Sequence, residues 1–367
     1  MKVNTSIRPS RALAAVLALF CVATAASAAY ATSTNTSRSA QAVLAKLSQG
    51  APRPATKSQW AKIVAAAKKE GSVTLYTSQN PLFLADTAKA FKAKYGITLT
   101  VNRNIDGVLT QQVSAEESSG KVNADVVVIA SKPIVYGMQK APNFWLTNEV
   151  GPDLYKKAYD RKLFGGPGKA NLVGEAILGI GWNTSLYPKG IKDLPDVLDS
   201  SLKGRLGVVK PTAPSLVDWY LWVQSKYGKN FLPKLAAQKP KIYTSSLPMT
   251  QAVASGEISV GSFVATSAIN LKQQGAPIDF KVPGGKDAWN APWWGMVLKK
   301  APHPNAAQLL MNYLVTKEGQ ATSQQHLGVV LKGIPNTFYI HPRPQNLLAL
   351  SPSKVTEFEN YWATLFG

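Results

Sequence analysis

The segment VTLYTSQNPLFLADTAKAFKAKYGITLTV, residues 73–101, decides the fold. Its first five residues are a β-rich run, its middle keeps apolar residues at helical spacing from Leu84 to Tyr95, and it ends in a second apolar run at 97–101. The same alternation continues with a helical pattern at 107–119 and a buried strand at 124–130. Strands that alternate with helices at this spacing predict an α/β fold, with a parallel sheet covered by helices on both faces.

The alternation resumes further along the chain. Strand patterns lie at 173–182, 204–209, 241–244, 258–264, 278–282 and 294–299. Helical patterns lie at 215–227, 249–255, 268–274, 305–315 and 355–366. About 340 residues remain after the N-terminal segment described next, which is enough for two domains.

The N-terminus has the three parts of a secretory signal. Lys2, Arg8 and Arg11 form a basic region, an uncharged apolar run follows at 12–26, and small residues end the segment at Ala28. The apolar run is shorter than the roughly 20 residues that span a bilayer. We therefore expect residues 1–28 to be a cleaved signal peptide, the protein to be periplasmic, and the mature chain to have no stable membrane insertion.

Residues 29–58 are rich in Ser, Thr, Ala and Asn, which predicts a flexible leader, with order beginning near Trp60. The chain's single cysteine, Cys21, lies inside the signal, so the mature protein is expected to have no disulfide and no thiolate metal site.

The charge balance is strongly basic, with a net charge of +21. The basic residues are scattered, often as single lysines on helical patterns, and no dense arginine cluster marks a nucleic-acid track. Together with export, this favours a solvated basic surface and predicts no nucleic-acid partner.

Catalytic material is scarce. The chain has three histidines, and it lacks a phosphate-binding loop, a dinucleotide fingerprint and a nucleophile elbow. We therefore expect no enzymatic activity, no cofactor and no resident metal.

The ordered segments resemble the extracellular solute-binding proteins of ABC importers, in the branch that includes ferric-ion-binding proteins. The stretches that carry the likeness span most of the mature chain and include Lys68-Lys69-Glu70-Gly71, Ala124-Asp125-Val126-Val127, Ala252-Val253-Ala254-Ser255-Gly256 and Ala301-Pro302-His303-Pro304-Asn305. Their order, more than any single piece, carries the resemblance.

This resemblance implies a two-lobed periplasmic-binding-protein fold of type II, with the ligand in a cleft between the lobes. By analogy, the first lobe takes 58–176 plus 288–333, and the second takes 177–287 plus 334–367. The implied function is that a monomer captures a small molecule and delivers it to an ABC permease at the inner membrane.

Two loops of the first lobe are candidates for the cleft, because ligands bind beyond the carboxyl ends of parallel strands. Ser78, Gln79 and Asn80 follow the first strand, and Asn80 could be a helix cap alone. Ser131 and Lys132 follow the buried strand, and Lys132 could pair with an anion or remain solvated.

In the second lobe, Thr212, Ala213 and Ser215 open a helix that could hold an anion. This loop resembles the anion-holding loop of the iron-binding relatives. Ala265 and Thr266 follow a later strand, at the positions where those relatives place two adjacent tyrosines.

The other expected iron ligands are also missing. The relatives' histidine falls on Asn80 and their glutamate on Ala130 or Ser131, so phenolate and carboxylate ligands for ferric ion are absent. The sequence therefore favours an organic anion such as a carboxylate, a phosphonate or a sugar phosphate, with ferric ion or a ferric chelate as the alternative. A secreted enzyme on the same scaffold is a further alternative.

Two features near the lobe crossing remain open. Trp293, with Trp289 and Trp294, could stack on a ligand or pack the hinge. Glu175 could bind an amine or stabilise the hinge.

Overall fold

The computed structural model describes residues 38–48, 50–79, 81–140, 145–165, 169–285, 288–339 and 350–367. The predicted signal peptide at 1–28 and the candidate residue Asn80 lie outside these ranges. None of the helices described is long and apolar enough to cross a membrane.

Residues 38–48 form a helix, here α1, where the sequence predicts a flexible leader. Ala40 and Leu47 are buried, and Leu47 packs in a small cluster with Ile63 and Val150. This corrects the leader prediction over 38–48, because apolar residues seven apart on a helix share one face and dock on the fold.

The first half of the chain alternates helices and strands. Its elements are α2 (Lys57–Glu70), β1 (Ser72–Thr77), α3 (Pro81–Tyr95), β2 (Thr98–Arg103), α4 (Asp106–Ser119), β3 (Val126–Ile129), α5 (Lys132–Lys140), α6 (Arg161–Phe164) and β4 (Asn171–Asn183). Leu75 of β1 pairs in parallel with Val101 of β2 and Val126 of β3. The parallel sheet predicted from residues 73–130 is confirmed.

Helix α2 shows how local sequence sets the boundaries. The Thr56 side chain accepts a hydrogen bond from the Gln59 N–H, and the Gln59 side chain accepts one from Thr56, which together form a capping box. The helix ends at Gly71, whose φ of 71° is a left-handed conformation that favours glycine.

The remaining elements follow in the second half. They are β5 (Leu206–Val209), α7 (Pro214–Tyr227), α8 (Phe231–Ala237), β6 (Lys241–Tyr243), α9 (Ser246–Ser255), β7 (Val260–Ala265), α10 (Ser267–Gln273), β8 (Ile278–Lys281), β9 (Asn290–Val297), α11 (Pro304–Leu314), α12 (Lys317–Ser323), β10 (Gly328–Val329), β11 (Phe338–Tyr339) and α13 (Pro352–Phe366).

Strand β9 begins four residues earlier than the sequence predicts, at Asn290 instead of Trp294. Proline lacks an N–H and reads as a strand breaker, which hid this start. In the structure the last pair between β9 and β3 is Ile129 with Trp294. Pro292 lies beyond that pair, so β3 does not need a hydrogen bond from its missing N–H.

Two strands join the halves of the sheet. The strand order is β2–β1–β3–β9–β4–β7–β5–β6, so β9 and β4 lie at its centre. The first part of β4, up to Ile177, pairs with β9, and the part from Leu178 onward pairs with β7 and β8. The strand therefore passes from one part of the sheet to the other between Ile177 and Leu178.

Buried apolar side chains form two main clusters, which define a first and a second lobe. The first cluster contains β1, β3 and α11, for example Leu75, Val127 and Leu310. The second contains β5, α7 and β7, for example Val208 and Val217. Ala176, at the crossing, packs against both clusters.

The C-terminal segment divides between the lobes. Ile334 and Tyr339 pack against the first cluster, because β11 pairs with β10. Leu350, Phe358 and Trp362 pack in the second cluster. Residues 334–339, assigned to the second lobe from the sequence, therefore belong with the first.

Candidate ligand-binding site

The loops after β1 and β3 lie side by side at one edge of the first lobe. The Ser78 N–H donates a hydrogen bond to the Val128 carbonyl at 3.1 Å. Gln79 is buried, and its N–H donates to the Thr77 hydroxyl oxygen at 3.1 Å. Ser78 and Gln79 therefore lie beside the end of β3, as the parallel arrangement predicts.

A carboxylate that the sequence analysis missed holds the loop after β3. Asp106 Oδ2 accepts hydrogen bonds from the N–H groups of Ser131 at 2.8 Å and Ala130 at 3.2 Å. Burial raises the pKa of Asp106, while these backbone hydrogen bonds and nearby Arg103 act in the opposite direction. The two N–H groups that could have received a ligand anion are thus occupied by the protein's own carboxylate.

The Ser131 side chain remains unpaired. Its hydroxyl oxygen is buried and has no hydrogen-bond partner among the described residues. The same holds for Ser78 Oγ, which lies close to the Asp106 carboxylate without hydrogen-bond geometry to it. Lys132 is the first residue of α5, and its side chain lies outside the described part of the chain.

Glu175 lies on β4, two residues before the strand changes lobes. Only 1% of it is exposed, and its Oε2 has no hydrogen-bond partner in the described structure. Burial raises the pKa of Glu175 well above its ordinary value. A carboxyl group therefore stands at the crossing with a hydrogen-bonding capacity that the described structure does not use.

The loop after β5 opens α7 with free polar groups. Ala213 is the N-cap and makes no side-chain capping bond, and Pro214 supplies the first helical residue. Ser215 follows in the first turn, and Thr212 is exposed beside it. Pro214 has no N–H, and the N–H groups of Leu216 and Val217 donate to the Ala213 carbonyl at 2.9 and 3.1 Å. The Ser215 N–H and the partial positive charge of the helix start are therefore what this loop offers to an anion.

The loop after β7 adjoins the crossing. Ala265 pairs with Leu178 of β4, and its N–H donates to the Thr250 hydroxyl oxygen at 3.1 Å. Thr266 is 1% exposed and is the N-cap of α10, without a side-chain capping bond. β5 and β7 are parallel neighbours, so this loop and the Thr212 loop share one edge of the second lobe.

The tryptophans near β9 are packed into the cores. Trp293 is buried in the first cluster and pairs with Gly174, so it faces away from the side that Glu175 and Pro292 share. Trp289 donates to Asp218 Oδ2 at 2.8 Å and stacks edge-on with Trp219 in the second lobe. Of the two alternatives, stacking on a ligand or packing in the protein, these contacts favour packing for both Trp289 and Trp293.

A serine, a histidine and an aspartate line up at the opposite ends of the strands. The Ser72 hydroxyl lies 3.0 Å from His303 Nε2, and His303 Nδ1 lies 2.9 Å from Asp125 Oδ2. Asp125 also accepts the backbone N–H groups of Thr74 and His303. Those N–H groups are therefore unavailable to a reacting oxygen. The hydrogen bonds among Ser72, His303 and Asp125 instead connect β1, the start of β3 and the start of α11.

The sequence of residues 73–326 matches the family described as bacterial extracellular solute-binding protein. The chain is a member of this family. The solute-binding protein is also 26% identical over 323 residues to an uncharacterized protein of Haemophilus influenzae, covering 82% of this chain and 88% of that one.

Solved structures show that the two-lobed type II periplasmic-binding fold is correct. Iron-bound HitA from Pseudomonas aeruginosa superposes with a TM-score of 0.60 at 23% identity, covering 80% of the solute-binding protein and 99% of HitA. AfuA from Actinobacillus pleuropneumoniae, with fructose-6-phosphate bound, gives a TM-score of 0.62 at 20% identity, covering 81% and 98%.

The candidate residues of the solute-binding protein thus fall in two groups. Ser78, Gln79 and Ser131 lie at the edge of the first lobe, and the second group lies at the edge of the second lobe, namely Thr212, Ala213, Ser215, Ala265 and Thr266. Glu175 lies on the strand between them, and Trp293 joins neither group.

Asp106 is the site residue that sequence reasoning missed, because the predicted helix begins at Gly107, one residue too late. Its position directly after β2, at the same edge, is the signal that could have identified it.

Proposed function

We propose that this protein captures a small organic anion between its lobes in the periplasm and delivers it to an ABC permease, without transforming it. The observation that supports this most is the start of α7, where the N-cap Ala213 makes no side-chain capping bond and the adjacent Thr212 and Ser215 carry hydroxyl groups. A helix of this length that opens toward a strand switch point is a suitable anion site.

The ligands of the similar structures fit an anionic cargo. AfuA holds a sugar phosphate, which is an organic anion. HitA holds iron, whereas this chain has Ala265 and Thr266 where the resemblance to the ferric-ion-binding branch implies two tyrosines. Within the described residues no three His, Cys, Asp or Glu side chains cluster as a metal site. Ferric ion or a ferric chelate is the second candidate, and it rests on the likeness to HitA.

The first test identifies the cargo class directly. Native mass spectrometry of freshly purified protein, followed by thermal-shift measurements, should show stabilisation by organic anions, since a ligand that binds the folded state raises its stability. Stabilisation by cations or neutral sugars only would contradict the proposal.

The second test acts on the helix start. Ser215→Asp places a negative charge in the first turn of α7, which strengthens the helix by about 0.3–1 kcal/mol but repels an anion. We expect anion affinity to fall at least about tenfold, because like charges in contact cost more than 1.4 kcal/mol. Calorimetric titration measures the affinity, and urea unfolding measures the stability.

Helix α13 offers a matched control, since it also begins with Pro-Ser, at Pro352 and Ser353. Ser353→Asp also adds a negative charge to the first turn of a helix and should leave anion affinity unchanged. Equal effects of the two substitutions on affinity would show that α7 does not hold the anion.

A further inference from the structure

The ends of three strands bring Ser131, Pro292 and Glu175 to one edge of the first lobe, here called the row. β3 pairs with β9 through Ile129 and Trp294, and β9 pairs with β4 through Pro292 and Glu175. Two residues beyond Ile129 is Ser131, and two residues before Trp294 is Pro292. Ser131 and Glu175 therefore both lie beyond the last β3–β9 pair, on the side of the first lobe where β4 crosses to the second.

The side chains of Glu175 and Pro292 face one side of the sheet. Paired residues of antiparallel strands share a face, and residues two apart on a strand share it as well. Glu175 therefore lies on the face of Pro292 and Trp294. The Pro292 side chain carries no hydrogen-bonding group.

The polar atoms of this row are buried and unused. Ser131 Oγ and Glu175 Oε2 have no hydrogen-bond partner among the described residues, and neither does Ser78 Oγ at the end of the adjacent β1. Buried polar atoms without partners cost stability and are rare in native proteins. Three of them at one edge mark positions where a ligand completes the hydrogen bonds.

We infer that this row binds the uncharged hydroxyl groups of the cargo, so that the protein selects hydroxylated organic anions. This inference rests on the proposed function, which supplies the anion site on α7. Hydroxyl groups both donate and accept, which suits the two serine hydroxyls and the buried carboxyl group. An ammonium group would call for an ionised carboxylate, and an alkyl chain would leave all three oxygens unsatisfied.

The test compares ligands that differ only in hydroxyl groups. Ligand-free protein is titrated calorimetrically with glucose 6-phosphate against hexyl phosphate, and with gluconate against hexanoate. The hydroxylated member of at least one pair should bind about tenfold tighter or more, since each unmade buried hydrogen bond weakens binding severalfold.

Three substitutions assign the effect to the row. Glu175→Met keeps the volume and removes the polar group, so affinity for the hydroxylated probe should fall about tenfold while the protein becomes more stable to urea. Glu175→Gln keeps a neutral donor and acceptor and should retain most of the affinity. Ser131→Ala should weaken the same probe and leave its alkyl partner unchanged.

Ser259→Ala is the matched control, because Ser259 Oγ is equally buried and unpartnered but precedes β7 at the end away from Ala265. It should change no affinity. The inference would be overturned if the Glu175→Met variant were more stable and still bound the hydroxylated probe with wild-type affinity. It would also be overturned if both ligands of each pair bound with equal affinity. In those two outcomes anion binding survives, whereas no binding by any probe would overturn the proposed function and the inference together.

Discussion

Glu175 makes the stability of the molecule depend on pH. Burial holds its pKa well above that of a free glutamate, so the folded protein keeps a proton there that the unfolded chain releases above about pH 4.3. The folded state is favoured fully below that pH, and it loses about 1.4 kcal/mol per pH unit as pH rises toward the folded pKa.

Glu175→Gln removes this dependence. The stability difference between the variant and the wild type should be smallest at or below about pH 4 and should grow as the pH rises from there, as measured by urea unfolding of ligand-free protein. Glu149, which is also buried with a raised pKa, stays in both proteins and cancels from the difference. Parallel pH curves for the two proteins would show that Glu175 is ionised in the folded state.

Single residues also mark where sequence reasoning ends. The strand ends that carry Ser78, Ser131, Thr212 and Thr266 could be predicted, because strand and helix periods are local. That Asp106 would occupy the N–H groups of Ala130 and Ser131, 24 and 25 residues away, could not. Such contacts depend on how two loops meet in space, and no local period records that.

At the scale of elements, Glu70 connects helix α2, early in the chain, with the start of helix α11, late in the chain. Its carboxylate accepts the Ala306 N–H at 2.7 Å, the Asn305 N–H at 3.2 Å and Asn305 Nδ2 at 2.7 Å. Helix α11 has no capping bond from its own N-cap, His303. The last residue of α2 therefore caps a helix that begins 234 residues later, after the chain has returned from the second lobe.

Removing this distant cap should cost more than a surface charge. Glu70→Ala leaves the first N–H groups of α11 without partners and should lower the free energy of unfolding by about 1–3 kcal/mol. Glu318→Ala, which breaks a half-exposed ion pair with Lys94 on the same lobe, should change it by at most about 1 kcal/mol. Urea unfolding measures both, and equal losses would contradict a capping role for Glu70.

This contact also shows that two of the stretches that carry the family resemblance meet in the folded protein. Glu70-Gly71 and His303-Pro304-Asn305 are far apart in the chain, and the structure brings them together through Glu70 and through the hydrogen bond between Ser72 and His303. The order of elements was predictable from such patterns. Helix α1 was not, because its polar and alanine-rich composition also fits a disordered linker and only its docking residues, such as Leu47, distinguish the two.

At the scale of the whole molecule, the two lobes have separate cores and share β4 and β9. Bending a few residues of these strands would move each lobe as a rigid body, which is the way hinged binding proteins close around a ligand. The net charge of +21 acts at the same scale, since it favours the approach of anions to the protein.

Closure around a ligand should leave a trace in both lobes. With an organic anion at 100 times its dissociation constant, binding adds about 2.7 kcal/mol, so amides that exchange only after ligand release should slow about a hundredfold. We expect this slowing in peptides covering Ser78–Gln79 and Ser131 of the first lobe and Thr212–Ser215 and Ala265–Thr266 of the second. Hydrogen–deuterium exchange followed by mass spectrometry measures it.

The two-sided pattern is the decisive feature, because one anion on α7 alone would protect only the second lobe. A peptide from α13, which packs on the second lobe's outer helices α7 and α8, gives the internal reference and should exchange at an unchanged rate if its opening is local. Protection confined to one lobe would contradict capture between the lobes. Protection in both, lost from the first lobe in Glu175→Met, would tie the crossing strand to closure.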